Sequence, residues 1–200
     1  GVSVDGTAYK PDTVHKIHQA YGRDIQLPNF SAHNETCANI GNMLWNWRMF
    51  LLTGESKYMD VLELSLYNSV MSGVSLDGSS YFYTNPLAAS TNYPYHLRWE
   101  GGRVPYISKS NCCPPNLVRT IAELNNYMYT FNGDALFVNL YGANQLKSKF
   151  ADGSVVAIEQ TTNYPWNGGV QLVVKEMAPG KKIYLRVPQW CTKYSVVCNG

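Results

Sequence analysis

Charge is scarce in this chain. Asp, Glu, Lys and Arg make up 15% of its 200 residues, and 16 basic side chains nearly balance 14 acidic ones. A net charge of +2 gives no electrostatic footprint for nucleic acid or for an anionic membrane surface. No apolar run approaches the roughly 20 residues of a membrane-spanning helix. There is no internal repeat, no low-complexity tract and no C-x-x-C pair. The paired motif of a zinc ribbon is therefore missing, and so is the thioredoxin-type redox motif. The chain opens on Gly1 with no methionine and no secretory apolar segment, and it stops just after Tyr194-Ser195-Val196-Val197, which reads as a strand. Both ends read as cuts, so an internal piece of a longer protein is expected. Five cysteines are an odd number, so a full disulfide framework leaves one over.

Two hundred residues are enough to bury a core in one or two domains. From Glu35 to about Leu52, apolar residues at Cys37, Ile40, Leu44, Trp47 and Leu51 recur at three- and four-residue steps, the mark of one helical face. Trp45 and Trp47 are both expected in the core. A second helix is expected from Ser56 to Met71, closed by Gly73, so that the two helices form a hairpin around Thr53-Gly54. Leu76-Asp77-Gly78 reads as a turn and Tyr81-Phe82-Tyr83 as a short strand. A long loop with two prolines spans 88–109, a length usually tied to function or disorder. A third helix is expected from Asn116 to Tyr129, behind Pro114-Pro115. Beyond a boundary near residue 132 come short runs rich in β-formers: Leu136–Tyr141, Val155–Gln160, Val170–Lys175, Ile183–Val187 and Tyr194–Val197. Strands at that spacing suggest a sandwich. Fifteen tyrosines and five tryptophans suit sugar stacking and ordinary packing alike.

The chemistry concentrates in Ser110-Asn111-Cys112-Cys113-Pro114-Pro115-Asn116 and, upstream, Asn34-Glu35-Thr36-Cys37. A disulfide between adjacent cysteines is strained, because the bridge needs a separation that neighbours meet poorly. The two stretches together supply three sulfurs and one carboxylate. Those residue types can bind zinc tetrahedrally through Glu35, Cys37, Cys112 and Cys113. Three buried cysteines packed as small hydrophobes are the competing reading. Cys191 and Cys198 stand apart, as a bridge or as two buried thiols. Sequons at Asn29 and Asn34 fit N-x-[ST], a weak pattern, and a glycan at Asn34 would crowd Glu35.

In order along the chain, Glu35-Thr36-Cys37-Ala38, Tyr67-Asn68, Leu76-Asp77-Gly78, Tyr83-Thr84-Asn85-Pro86-Leu87, Cys112-Cys113-Pro114-Pro115-Asn116 and Tyr164-Pro165-Trp166 form a set. This set resembles the β-L-arabinofuranosidases of glycoside hydrolase family 127. The Asn-Phe-Ser-Ala-His-Asn run before Glu35 is closer to the related family 146. The resemblance implies a mainly α part followed by β: residues 1–131 as the last portion of an (α/α)6 barrel, and 132–200 as the start of a β-sandwich domain. It implies a zinc ion held by Glu35, Cys37, Cys112 and Cys113. It also implies Cys112 as the nucleophile of a retaining hydrolase that removes terminal β-L-arabinofuranose from plant arabinan or arabinoglycans, with Tyr83 lining the sugar pocket. Asn85 is expected beside Tyr83, against a plain turn role. Apart from the resemblance, His18 and His33 could each hydrogen-bond a sugar hydroxyl; a solvated or capping role is the preferred reading for both, with His18 kept as the candidate. The partners implied are an arabinose-containing saccharide and the remainder of a parent chain, with no nucleic acid and no membrane.

One position departs from the family pattern. The acid/base glutamate before Leu-Pro-Asn is Gln19 here, and an amide cannot exchange the catalytic proton; a trapping substitution, a natural change with the role moved elsewhere and lost activity are the competing explanations. Asp24 and Glu100 are nearby acids that read as surface charges. Arg98, Trp99 and Arg103 can line a cleft or simply pack. A non-catalytic, zinc-stabilised carbohydrate-binding or structural module is the alternative from another functional class.

Overall fold

A computed structural model describes residues 34–85 and 112–199, together with the backbone of 2–3 and 20–21. The chain divides into two compact units, Gly1–Leu52 with Val61–Ala122, and Thr53–Asp60 with Glu123–Gly200.

In the first unit, β1 (Val2–Ser3) pairs antiparallel with β2 (Ala20–Tyr21). Helix α1 runs Thr36–Thr53 and α2 Ser56–Ser65, so the expected hairpin is present, with Gly54 at φ 70° between the helices; Thr53–Asp60, the turn and the first half of α2, is counted with the second unit. Asn42 Nδ2 donates to Ser65 Oγ at 3.2 Å and ties α1 to α2. The buried face of α1 carries Thr36, Ile40, Met43 and Phe50, a 3.6-residue stripe. The Trp47 ring lies against Phe50, centroids 5.8 Å apart and planes tilted by 30°. Trp45 does not join this core. It is 68% exposed, because two residues beyond Met43 places it about 200° round the helix. Leu51 is exposed for the same kind of reason.

The second helix was expected to run unbroken to Met71. Instead it widens into π-type turns over Leu66–Val70 and tightens into a 3₁₀ turn over Met71–Gly73. Gly73 lies against Thr36. A Cβ there would sit 3.1 Å from Thr36 Cγ2, so the Thr36 side chain would have to give way by a few tenths of an ångström. Leu76-Asp77-Gly78 is the turn expected, with Gly78 at φ 72°. Asp77 accepts from the Ser75 and Ser79 hydroxyls and from the Ser79 amide, which together draw its carboxyl down to about 2. Tyr81-Phe82-Tyr83 is not a strand: Tyr81 and Thr84 make only single bridges, to Val74 and Glu35. The third helix, α3, is Cys113–Ala122, three residues earlier than expected. Prolines fit a first turn whose N–H groups have no intrahelical partner in any case.

In the second unit, α4 is a single turn, Asn125–Met128, and Tyr129 leaves it as the first residue of β3 (Tyr129–Asn132). Then follow β4 (Ala135–Val138), β5 (Asn144–Lys149), β6 (Val155–Thr162), β7 (Val170–Met177) and β8 (Lys182–Leu185). They form two three-stranded sheets, β3-β4-β8 with β4 and β8 parallel, and antiparallel β5-β6-β7. Tyr194–Val197 is not a strand, and its valines are exposed. Leu136, Phe150, Val156 and Ile158 form one buried cluster, joined by Tyr129, Leu146, Leu172, Met177 and Ile183, so both sheets contribute to it. Arg186, 8% exposed, reaches Asp60 Oδ1 at 2.6 Å.

A polar line runs beside this core. Gln160, 2% exposed, donates to the Tyr129 hydroxyl, which donates to Asn144 Oδ1 at 2.7 Å. Tyr129→Phe deletes the middle of the line and leaves two amides short of a partner. It is expected to destabilise this unit by about 1–3 kcal/mol, read as a shift in urea midpoint at unchanged m-value. A change below about 0.5 kcal/mol would show that water replaces the hydroxyl at no cost.

Candidate metal and nucleophile centre

The first unit brings Glu35, Cys37, Cys112 and Cys113 together, with one ligand atom from each and all four within 4.8 Å of one another. Two segments do this. Asn34 sits at φ 39°, a left-handed conformation that asparagine tolerates. Its side chain is fixed, Nδ2 donating to the Asn85 carbonyl and Oδ1 accepting from Asn39 Nδ2 at 2.9 Å. Glu35 follows as the residue before α1, its carbonyl accepting from Asn39 N at 3.0 Å. The flanking amides lock this entry: Thr36 N donates to Tyr83 O at 3.0 Å, and Asn85 N to Asn34 O at 3.1 Å. The hairpin that closes at Gly73 thus delivers Tyr83 to Glu35.

The second segment is the start of α3. Cys112 precedes the helix and its carbonyl accepts from Asn116 N at 3.0 Å. Cys113 opens the helix and is buried, Cys112 is exposed, and Cys37 is half-buried. Two helix N-termini therefore converge on one cluster of potential anions, where their dipoles favour thiolate over thiol.

The separations suit a tetrahedral ion. Cys37 Sγ lies 3.3 Å from Cys113 Sγ, and Cys112 Sγ 3.7 Å from Cys113 Sγ. Glu35 Oε1 lies 3.8 Å from Cys112 Sγ and 3.7 Å from Cys113 Sγ. A zinc ion with bonds of about 2.3 Å to sulfur needs ligand-to-ligand edges of about 3.8 Å. The residues present fit such an ion in both donor type and spacing. They also settle the competing sequence reading in part: Cys113 is buried, but Cys112 is not, so the three thiols are not simply core hydrophobes.

The cluster's protons are unevenly held. The hydrogen bond with Cys113 draws the Cys37 thiol down to about 7, helped by the Asn116 amide and by Cys112 and opposed by burial. The same contact with Cys37, with burial behind it, pushes Cys113 up. Burial, followed by the charges of Glu35, Cys112 and Cys113, pushes the Tyr83 phenol up, and its hydroxyl hydrogen-bonds Glu35. Tyr83 is a neutral donor beside the carboxylate. Asn85 donates through Nδ2 to Ser72 Oγ at 2.8 Å.

Gln19 and His18 lie outside the described residues, as do His33, Asn29, Asp24, Glu100, Arg98, Trp99 and Arg103. Cys191 and Cys198 are both free. Cys191 is half-buried and Cys198 exposed, so they are neither a bridge nor two buried thiols. The sequence reading missed Asn116 and Arg119. Asn116 Nδ2 donates to Cys37 Sγ at 3.0 Å, and Arg119 Nη2 donates to Asn116 Oδ1. Their three-residue spacing, one helical step apart, was the available signal. No helix among the described residues is long and apolar enough to cross a membrane.

Comparison with known proteins places the chain in a family. Residues 5–126 match the family model described as the catalytic domain of β-L-arabinofuranosidase, GH127, and 135–200 match the one described as its middle domain. A non-reducing end β-L-arabinofuranosidase of Bifidobacterium longum subsp. longum is 31% identical over 194 residues, 92% of this chain and 29% of that protein. A solved structure described as a glycoside hydrolase is 51% identical with TM-score 0.83, covering 96% of this chain and 32% of its own. Another, a GH127 β-L-arabinofuranosidase from Geobacillus stearothermophilus T6, is 41% identical with TM-score 0.74, covering 83% of this chain and 26% of its own. The chain spans about a third or less of the length of these relatives. With more than half its residues inside the catalytic-domain match, it belongs to glycoside hydrolase family 127, the β-L-arabinofuranosidase family.

Proposed function

We propose that this chain carries the nucleophile and metal centre of a retaining β-L-arabinofuranosidase acting on plant arabinan or arabinoglycans. The observation that carries the proposal is the convergence of Glu35, Cys37, Cys112 and Cys113 at tetrahedral spacing, with Cys112 the exposed sulfur. Glu35, Cys37, Cys112 and Cys113 would hold zinc, which when bound keeps cysteine sulfur deprotonated at neutral pH.

The chain's own residues then divide the work. Cys112 Sγ attacks the anomeric carbon. The C–S bond forms as the glycosidic C–O bond breaks, and an acid protonates the departing oxygen. The same acid, now a base, takes a proton from water as the water attacks the anomeric carbon and the C–S bond breaks. The sugar leaves with its original configuration and the sulfur is regenerated. Tyr83 lines the sugar pocket and orients Glu35, while Asn85 steadies the segment that carries Tyr83. His18 is a candidate partner for a sugar hydroxyl. The overall architecture we infer is the end of an (α/α)6 barrel over 1–131 followed by part of a β-sandwich over 132–200, within a longer parent.

Gln19 stands where the acid/base belongs. A p-nitrophenolate leaving group departs without an acid, so the parent protein given p-nitrophenyl β-L-arabinofuranoside should release one fast equivalent and then stall. Gln19→Glu should convert that burst into turnover, faster by about 10²–10⁴-fold. A binding or structural module, the reading Gln19 favours, gives zinc binding with neither burst nor turnover in either form.

A further inference from the structure

Asn116 faces a choice that side-chain amides usually make ambiguously. Either its oxygen or its nitrogen can point at a given neighbour, and the two ends are alike in shape. Arg119 removes the ambiguity. A guanidinium only donates, and Arg119 Nη2 meets the oxygen end of Asn116. The NH₂ end is therefore the one turned toward Cys37 Sγ, 3.0 Å away. The helix holds both residues in register. Asn116 N donates to Cys112 O at 3.0 Å and Thr120 Oγ1 to Asn116 O at 2.8 Å. Thr120 is buried, and Arg119 is exposed.

We infer that Arg119 and Asn116 form a relay that fixes an N–H donor on Cys37, marking that sulfur as the anchoring ligand of the metal site and leaving the reacting role to Cys112. The inference rests on the zinc reading above. Its physical basis is the outer shell of a metal site. A donor aimed at a thiolate sulfur spreads its charge, sets its orientation and lowers its nucleophilicity without removing it from the ion. Asn116 acts through Cys37 and touches neither sugar nor scissile bond, so it is a positioning residue. The relay predicts a hierarchy. The amide is the contact itself, and the guanidinium only chooses which end of the amide makes it.

The test is zinc affinity of the purified chain, measured by competition with a chromophoric chelator. Which of the three cluster thiols, Cys37, Cys112 or Cys113, iodoacetamide labels first in the zinc-loaded protein is read alongside it by mass spectrometry, the free Cys191 and Cys198 being scored separately. Asn116→Asp keeps the shape and loses the donor, and is expected to weaken zinc about 10–100-fold and to shift labelling from Cys112 alone to Cys112 and Cys37. Arg119→Leu, at an exposed position where folding is not at stake, should weaken zinc less. The double variant should be no weaker than Asn116→Asp by itself, because the guanidinium has no separate route to the metal. Arg119→Lys, which restores a donor, should recover most of the Arg119→Leu loss. Zinc affinity within twofold of the parent value in both single variants, with labelling still confined to Cys112, overturns the relay while leaving the zinc reading intact. A chain of unaltered sequence that binds no zinc overturns both.

Discussion

Cys112→Ala is expected to abolish the burst of p-nitrophenolate from the parent protein and to lower the turnover of its Gln19→Glu form by about 10⁴-fold or more, the scale on which loss of a nucleophile is felt. The argument is one of bonds. With Gln19 in place, the sulfur can still displace an activated leaving group, but an amide at that position cannot act as the base that brings water in. A pentose should therefore remain attached to the peptide that contains Cys112, visible as a mass increase in a digest. Cys112→Ala should lose the adduct, and Cys112→Ser should lose it too, because a hydroxyl is a far weaker nucleophile than a thiolate at neutral pH. An adduct found on Cys37 or Cys113 instead, or a Cys112→Ala protein with more than a tenth of the original burst, would remove Cys112 from the role.

The second large effect is on stability. A ligand that binds only the folded state at 1,000 times its dissociation constant stabilises that state by about 4 kcal/mol. For a chain of this size 1 kcal/mol corresponds to about 2–4 °C in Tm. Stripping zinc with a chelator should thus lower the melting temperature by about 8–16 °C, and adding zinc back should restore it. Cys113→Ala should show most of the same fall without a chelator. Cys113 is the buried sulfur, within 3.8 Å of ligand atoms from Cys37, Cys112 and Glu35, so its removal opens the site from the inside. A Tm unmoved by chelator, in a protein shown by metal analysis to have lost its zinc, would mean the ion does not brace the fold.

What the sequence made legible here is unequal. Glu35, Cys37 and the vicinal cysteines were readable because few residue types bind metals, and their chemistry narrows the options before any geometry is known. Helix α1 was readable from its apolar stripe, though Trp45 and Leu51 were read as core when rotation about the helix carries them off it. The start of α3 was misplaced because proline was treated as a residue that precedes a helix, when it can equally occupy the first turn. Strand β5 escaped notice: Asn144–Lys149 reads Asn-Gln-Leu-Lys-Ser-Lys, with no β-branched residue, and it is a strand because β6 pairs with it. Tyr194–Val197 is the converse case, β-prone residues that pair with nothing among the described residues. Both are instances of tertiary context overriding local preference. The Arg119–Asn116–Cys37 line escaped because its significance lies in a contact between residues 79 positions apart.

Cys37 and Cys113 are 76 positions apart, whereas β5, β6 and β7 join successive neighbours through short connections. Contacts between near neighbours form early, and contacts across a long intervening chain wait on the entropy of closing it. On refolding from denaturant, the antiparallel strands should pair before the sulfurs meet. Metal uptake then becomes a late event, whose rate reports how quickly the two ends of that long segment find each other.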